Sequence, residues 1–131
     1  PEHLVPLAID EFPVLFVAAS CAEGKTTVTG AEELRVKESD RIQVMADGLV
    51  ALGVSAVATH DGMVIQGMGE GSSMGTGSVH SHDDHRIAMA FTMAALRAAG
   101  PVEIEDCDNV NTSFPGFVEL ASRAGVDISA A

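Results

Sequence analysis

Apolar residues recur with helical spacing in four segments of the chain. The run FPVLFVAASCAEG, from Phe12 to Gly24, predicts a buried helix that ends at its glycine. A second helix is predicted to end at Gly53, and its apolar face consists of Ile42, Met45, Ala46, Leu49 and Leu52. The run HRIAMAFTMAALRAAG (85–100) is apolar nearly all round, so we expect both sides of this helix to be covered. A fourth helix is predicted within FPGFVELASRAG (114–125).

Short runs typical of strands lie between these helices. They are TTVTG (26–30), SAVAT (55–59), MVIQG (63–67), PVEIED (101–106) and VDIS (126–129). The second and third runs are separated by His60, Asp61 and Gly62, and because Asp-Gly suits a tight turn we expect a hairpin there. The Gly-, Ser- and Met-rich segment 67–78 is predicted to be a loop with too little apolar content to pack.

The order of these elements is similar in the two halves of the chain. Segments 10–66 and 77–130 each contain a helix, a strand, a polar turn and a second helix, which closes in Leu-Gly-Val or Ala-Gly-Val. This near-repeat predicts an α/β fold, in which a sheet is layered with helices, rather than an all-α fold. Because the 131 residues are 47% apolar and contain no clear linker, we expect them to pack as one body.

The charge of the chain limits its partners. The formal net charge is −12, which argues against binding to nucleic acid or to an anionic membrane surface, since either would be repelled. No apolar run reaches transmembrane length. Two cysteines without a disulfide pattern indicate a reducing, cytoplasmic compartment. The start at Pro1, without an initiator Met, indicates a fragment of a longer protein.

The stretch ELRVKESDRI concentrates the few cations of this chain. Arg35, Lys37 and Arg41 are three of only seven Lys and Arg residues. Extending the apolar stripe of the second helix back by one turn places Glu38 and Arg41 on its inward face, where an unpaired charge is costly. We therefore predict that two cations and a carboxylate at this helix N-terminus bind an anionic substrate and exchange a proton with it. A cap with an exposed ion pair is the alternative.

The stretch HSHDDHR, from His80 to Arg86, is a second polar cluster. Its three His and two Asp residues could be metal ligands, but consecutive residues that enter a helix cannot all converge on one ion. N-capping by Asp83 or Asp84 is therefore favoured. Arg86 stands in the first helical turn, where the helix dipole disfavours a cation, so we expect an anionic partner nearby. Asp10, at the corresponding place before the first helix, has an N-cap as its simplest interpretation.

Four motifs together resemble one enzyme family. RVKESDRI and DDHRIAMA, with IDEFP upstream and TSFP downstream, resemble the C-terminal part of the 5-enolpyruvylshikimate-3-phosphate (EPSP) synthases, and the likeness spans about 10–128. Members of this family are roughly three times longer than this chain. They have two domains of βαβαββ repeats, with helices inside and sheets outside. The resemblance implies that this chain is part of such a domain.

The resemblance also implies an activity. The family transfers the enolpyruvyl group of phosphoenolpyruvate to the 5-hydroxyl of shikimate 3-phosphate, releasing phosphate without a metal or an organic cofactor. These two substrates would be the partners of this chain, together with the missing N-terminal region. Because that region supplies further substrate contacts, we expect the isolated chain to be inactive or nearly so.

Roles follow from the matched positions. Glu38 resembles the carboxylate that transfers a proton at the methylene carbon of phosphoenolpyruvate, and Asp10 the carboxylate that helps to deprotonate the 5-hydroxyl. Lys37 resembles the cation between the two substrates, and Arg41 and Arg86 the pair that binds the phosphoenolpyruvate carboxylate. Further candidates at or beside the motifs are Asp84, His85 and Thr112. The turn NTS (111–113) departs from the family pattern, since much of the family has a phosphate-facing Lys there.

Two alternatives stay open at this point. The related transferase that acts on UDP-N-acetylglucosamine shares the architecture, although the RVKESDR and DDHR strings fit it less well. A non-catalytic metal-binding module around His80–His85 would be a different class of protein, and loss of zinc binding in His82→Ala would identify it.

Overall fold

The computed structural model describes residues 4, 8–69, 71–106, 122–123 and 125. Within these residues the helices are α1 (Phe12–Cys21), α2 (Arg41–Ala51) and α3 (His85–Ala94). The strands are β1 (Lys25–Val28), β2 (Ser55–Thr59), β3 (Gly62–Gln66), β4 (Gly77–His80) and β5 (Val102–Glu105). Short 3₁₀ turns cover Ile9–Glu11, Glu32–Val36 and Ala95–Arg97.

The first sheet has the strand order β1-β3-β2, and both neighbours run antiparallel to β3. Strands β2 and β3 form the predicted hairpin, in which Thr59 pairs with Gly62 across the turn. The side chains of Met63 and Ile65 in the central strand are fully buried. Because β1 and β2 have the same direction, α2 connects two parallel strands that lie on either side of β3.

The second sheet pairs β4 with β5 in parallel, from Gly77 opposite Val102 to His80 opposite Glu105. Strand β4 corrects the prediction that 67–78 is an unpacked loop, because β4 begins at Gly77 and Met74 is fully buried. Met74 also forms a parallel bridge with Ala98. Backbone pairing with the neighbouring strand, which apolar periodicity does not reveal, orders this segment.

The core lies among the helices and the inner faces of the two sheets. Helix α1 packs on α3 and α2, and α2 contacts β2 and β4, so it touches a strand of each sheet. Fully buried side chains at these contacts include Phe16, Leu49 and Phe91. The mixture of packed helices and sheets confirms the predicted α/β class.

Three helix predictions need correction. Helix α1 ends at Cys21 rather than Gly24, and the helical run predicted for 85–100 ends at Ala94 and continues as a 3₁₀ turn. Most of α3 is buried, but Met89 and Met93 keep partial exposure, so its coverage is incomplete. The predicted strand 126–129 and the candidate Thr112 lie outside the described residues. Of the predicted helix within 114–125, only residues 122, 123 and 125 are described. The near-repeat therefore stays a prediction.

The arrangement brings the two polar clusters to one end of the helices. Asp10 lies in the 3₁₀ turn immediately before α1, Arg41 is the first residue of α2, and Asp84 directly precedes α3. Among the described residues no helix is long and apolar enough to cross a membrane.

Candidate active site

Arg41 is the centre of the site. Its side chain is 1% exposed, which is rare for a cation unless its charge is balanced nearby. Its Nε donates to Asp84 Oδ2 at 2.9 Å, and its Nη2 donates to Asp84 Oδ1 at 3.2 Å. This two-bond contact fixes both the position and the orientation of the guanidinium. The prediction that Arg41 faces inward is confirmed.

Two further carboxylates contact the same guanidinium. Arg41 Nη1 donates to Asp10 Oδ1 at 3.1 Å, and Nη2 also donates to Glu38 Oε2. The side chains of Asp10 and Glu38 are 50% and 53% exposed, whereas Asp84 is fully buried. Arg41 therefore has one buried carboxylate partner and two that face solvent.

Asp84 links the two polar clusters of the sequence. Ser39 Oγ donates to Asp84 Oδ2 at 2.7 Å, and the backbone N–H of Arg86 donates to Asp84 Oδ1 at 3.0 Å. The second bond caps α3, so the predicted N-cap is confirmed and, of the two candidates Asp83 and Asp84, it is Asp84. Burial by itself would raise the pKa of the Asp84 carboxyl, but the hydrogen bonds from Arg41 and Ser39 outweigh burial and lower this pKa.

The charge of Arg41 is stabilised by the same contacts. Burial by itself would lower the pKa of the guanidinium, but its hydrogen bond and ion pair with Asp84, together with Glu38 and Asp10, raise the pKa above its ordinary value. Arg41 and Asp84 are therefore both charged at neutral pH.

A tight turn positions Asp84. The hydroxyl of the buried Ser81 lies within hydrogen-bond distance of the carbonyls of both Glu105 and Asp106, and the N–H of Asp83 donates to the same Asp106 carbonyl at 3.1 Å. His82 and Asp83 have left-handed backbones, with φ of 53° and 58°. His and Asp tolerate this conformation better than most side chains. The end of β5 thus holds the turn that enters α3.

This turn uses part of the HSHDDHR cluster structurally. His80 and His82 are exposed, and His80 Nδ1 accepts a hydrogen bond from the backbone N–H of His82 at 3.0 Å. In the described part of the chain, no group of three or more His, Cys, Asp or Glu side chains is placed to hold a metal ion. His85 is the first residue of α3 and is half-buried.

The loop before α2 corrects the inward placement of Glu38. Helix α2 begins at Arg41, and Asp40 is its N-cap, with Oδ1 accepting from the N–H of Gln43 at 3.2 Å. Glu38 therefore precedes the helix. The prediction that it lies on the inward face of α2 is wrong, because the helical spacing used for that prediction does not extend to residue 38. Lys37 Nζ lies 3.3 Å from Glu33 Oε1, so its contact is with a neighbour in sequence rather than with Asp10 or Asp84.

Asp10 is not a helix cap. It lies in the 3₁₀ turn Ile9–Glu11, and the N-cap position of α1 is Glu11, whose side chain makes no capping bond. The carboxylate of Asp10 instead points across to Arg41. The interpretation of Asp10 as an N-cap is therefore wrong. The local sequence does not show that α2 places Arg41 next to Asp10.

Arg86 has the anionic neighbour that its position predicted. Its Nη1 lies 3.6 Å from Glu11 Oε1, and its side chain is about one-third exposed. Arg86 also borders a shallow cavity of about 220 Å³ between α1 and α3. The cavity is lined by Asp10, Glu11, Pro13, Val14, Arg86, Met89, Ala90 and Met93. Asp10, Glu38 and Asp84 thus each contact Arg41, whereas Arg86 reaches this cluster through its backbone N–H, which bonds Asp84.

The sequence did not predict the contacts that Ser39 and Arg35 make. Ser39 is the hydroxyl inside KESDR that donates to Asp84, and Arg35 is the cation that binds Asp40. The only sequence signal for either was the clustering of polar residues immediately before an apolar helical face.

The fold and the cluster define a class: an α/β domain in which carboxylates and arginines meet at the helix N-termini. The family model for EPSP synthase (3-phosphoshikimate 1-carboxyvinyltransferase) matches residues 2–120. The chain therefore belongs to the EPSP synthase family, which confirms the resemblance seen in its motifs.

Individual relatives agree with this assignment. The 3-phosphoshikimate 1-carboxyvinyltransferase of Alkalilimnicola ehrlichii is 72% identical over 129 residues, which cover 98% of this chain and 28% of the relative. That of Nitrosococcus oceani is 69% identical over 128 residues, again 98% of this chain and 28% of the relative. A solved EPSP synthase from Acinetobacter baumannii has a TM-score of 0.92 at 60% identity over 96% of this chain and 29% of its own. The chain thus spans less than a third of the relatives it matches.

Proposed function

We propose that this chain forms part of an enzyme that transfers the enolpyruvyl group of phosphoenolpyruvate to the 5-hydroxyl of shikimate 3-phosphate and releases phosphate. The observation that carries the proposal is the contact of Arg41 with Asp10, Glu38 and Asp84. Eight of the relatives that bear the name of this activity are 58–72% identical to the chain.

The three carboxylates around Arg41 differ in how easily they can be displaced. Asp84 is buried and bonded to Arg41 through both oxygens, so it stays in place when a ligand arrives. The carboxylates of Asp10 and Glu38 are half-exposed, so water can solvate them when they leave Arg41, which it cannot do for the buried Asp84. The carboxylate of phosphoenolpyruvate can therefore take their place on the Nη atoms of Arg41.

This displacement frees the two carboxylates for chemistry. Glu38, which takes up a proton from water once it has left Arg41, gives this proton to the methylene carbon of phosphoenolpyruvate, and positive charge develops on the neighbouring carbon. Asp10 takes the proton of the 5-hydroxyl while that oxygen attacks the positive carbon. Phosphate then leaves with the proton that Asp10 took, as a methyl proton returns to Glu38, which restores the double bond. Arg41 and Arg86 hold the carboxylate of the substrate, and Lys37 balances the charge of the leaving phosphate.

The test uses a complete enzyme that contains this chain. The matching 129 residues of the Alkalilimnicola ehrlichii relative are replaced by the chain, and phosphate release is measured with both substrates. We expect release at a rate near that of the relative, and a fall in kcat of about 10²–10⁴-fold in Glu38→Gln, the usual range for loss of a proton-transfer group. The exposed Glu23→Gln is the matched control and should leave kcat unchanged.

Two outcomes would sink the proposal. One is a folded chimera that releases no phosphate, or that prefers UDP-N-acetylglucosamine over shikimate 3-phosphate as acceptor. The other is Glu38→Gln with the same kcat as the control, since the amide is nearly isosteric with the carboxyl but cannot transfer the proton.

A further inference from the structure

Arg35 is the cation of ELRVKESDRI to which the proposed reaction gives no task. It lies in the 3₁₀ turn Glu32–Val36, and its guanidinium binds three acceptors. Nε donates to the carbonyl of His60 at 2.9 Å, Nη2 donates to the carbonyl of Thr59, and Nη1 donates to Asp40 Oδ2 at 2.7 Å. Arg35 therefore ties the turn of the β2–β3 hairpin to the N-cap of α2.

These bonds enclose the residues that carry the chemistry. Only residues 36–39 separate Arg35 from Asp40, and they include Lys37 and Glu38. The ion pair between Arg35 and Asp40 closes this four-residue loop at its base. The other oxygen of Asp40 caps α2, whose first residue is Arg41. One guanidinium thus holds both ends of the loop.

The hairpin turn holds the beginning of the same segment independently. The N–H of Gly30 donates to Asp61 Oδ2 at 3.0 Å, and the N–H of Ala31 donates to the Asp61 carbonyl at 2.7 Å. The bond from Gly30 lowers the pKa of the Asp61 carboxyl, so Asp61 stays ionised at neutral pH. The segment 30–40 is therefore fixed against the hairpin at two places. Asp61 holds its start, and Arg35 holds the position directly before the loop 36–39.

We propose that Arg35 is a positioning residue that holds Lys37 and Glu38 in register with Arg41. The proposal rests on the proposed function. A planar guanidinium can serve two carbonyls and a carboxylate in fixed directions, whereas an ammonium group on a flexible stem cannot reproduce that fork. Arg41 keeps its own anchor on Asp84, so loss of Arg35 should misplace the proton donor more than the carboxylate site.

The experiment compares Arg35→Lys with Arg97→Lys in the chimeric enzyme. Arg97 is also half-buried and also donates to a backbone carbonyl, that of Ser72 at 2.9 Å, which makes it a matched control. In Arg35→Lys we expect kcat to fall by about tenfold or more, because even a small displacement of a reacting group slows the reaction strongly. We expect KM for phosphoenolpyruvate to change by less than about threefold. Arg97→Lys should leave both constants unchanged.

A second readout does not depend on activity. Amide hydrogen exchange should accelerate in segment 30–43 of Arg35→Lys and in the hairpin turn 59–62 that Arg35 binds, and in no other described segment. Asp40→Asn guards against misfolding of the first variant, because Asn still caps a helix while the ion pair with Arg35 is lost, and it should also lower kcat more than it changes KM. If the unmodified chimera releases no phosphate, the proposed function fails, and the exchange experiment still tests the anchoring.

Three results would overturn the inference. Unchanged exchange in segment 30–43 of Arg35→Lys would show that Arg35 does not hold the loop. Faster exchange with an unchanged kcat would show that the loop is anchored without consequence for the reaction. A rise in KM for phosphoenolpyruvate equal to the fall in kcat would assign the effect to the carboxylate site instead of the proton donor.

Discussion

At the scale of single residues, the site depends on how Asp84 holds Arg41. The carboxylate has four hydrogen bonds, two from Arg41, one from Ser39 and one from the Arg86 backbone, and none of its surface meets solvent. Removing one member of such a buried pair leaves the other charge poorly compensated, which costs more than the pair itself contributes.

We predict that Asp84→Asn destabilises the complete enzyme at pH 7 by about 3 kcal/mol, since it leaves Arg41 with only its two exposed carboxylate partners. The effect should depend on pH. The folded-state pKa of Asp84 lies below its unfolded value of about 3.9, so its stabilisation is present above that value and is lost as pH falls through the folded-state pKa. Thermal denaturation from pH 7 down to about 3 measures this.

The midpoints of Asp84→Asn and of the unmodified enzyme should therefore converge at the acid end. Asp47→Asn is the control, because Asp47 is exposed and accepts from Gln43 Nε2 on the solvent side of α2. Its effect should stay within about 0.5 kcal/mol at every pH. The difference in midpoint between Asp84→Asn and the unmodified enzyme should shrink as the pH falls. If it stays constant from pH 7 to about 3, the ionised, buried state of Asp84 is contradicted.

At the scale of elements, α2 and α3 pack closely because α2 has Gly48 at their contact. A Cβ built on Gly48 would lie 2.2 Å from Cζ of Phe91, whose ring is fully buried. The absence of a side chain at this position therefore lets the ring of α3 lie against the backbone of α2. The same approach keeps Arg41 and Asp84, at the N-termini of the two helices, within bonding distance.

We predict that Gly48→Ala lowers the midpoint of thermal denaturation, because an overpacked core costs about 1–3 kcal/mol and the gain in helix propensity of about 1 kcal/mol offsets only part of it. Gly77→Ala is the control, since its added Cβ makes only ordinary contacts of 3.5 Å or more. Combining Gly48→Ala with Phe91→Leu should recover part of the loss. Equal stability of Gly48→Ala and the control would mean that the ring moves aside freely.

At the scale of the whole molecule, the cluster carries more negative than positive charge. Three cations stand against five carboxylates in the contacts described above: Lys37, Arg41 and Arg86 against Asp10, Glu11, Glu33, Glu38 and Asp84. Two multiply charged phosphate esters would be repelled by this balance, so further cations must come from outside the described site. The relatives extend over more than three times the matched length.

We predict that the 131-residue chain alone releases no measurable phosphate from the two substrates, because its cations are too few to hold both anions. The assay is the one used for the chimera, at equal protein concentration. The chimera is the positive control, and its Glu38→Gln variant sets the background. Release by the isolated chain at a rate near that of the chimera would show that the site is complete within these residues.

Local chemistry was enough to predict the class of fold, the hairpin at His60–Gly62, the inward placement of Arg41 and the cap at Asp84. The hairpin, the placement of Arg41 and the cap each follow from residues within about one turn of one another, where periodicity, turn preference and capping act, whereas the class of fold follows from the order of the elements along the chain. The family motifs added the roles that we propose for the charged residues. Strand β4 and the burial of Met74 were not predictable in this way, since pairing with a distant strand orders them.

The convergence of Asp10, Glu38 and Asp84 on one guanidinium is a property of the folded chain alone. Arg41 is separated by 31 residues from Asp10 and by 43 from Asp84, and no local rule relates such positions. Packing of three helices brings their N-termini together, and Arg35 bonds Asp40 at the end of the loop that carries Glu38 to Arg41. A sequence pattern reveals which residues have unusual chemistry, whereas distances between remote residues, and therefore the site, arise from tertiary packing.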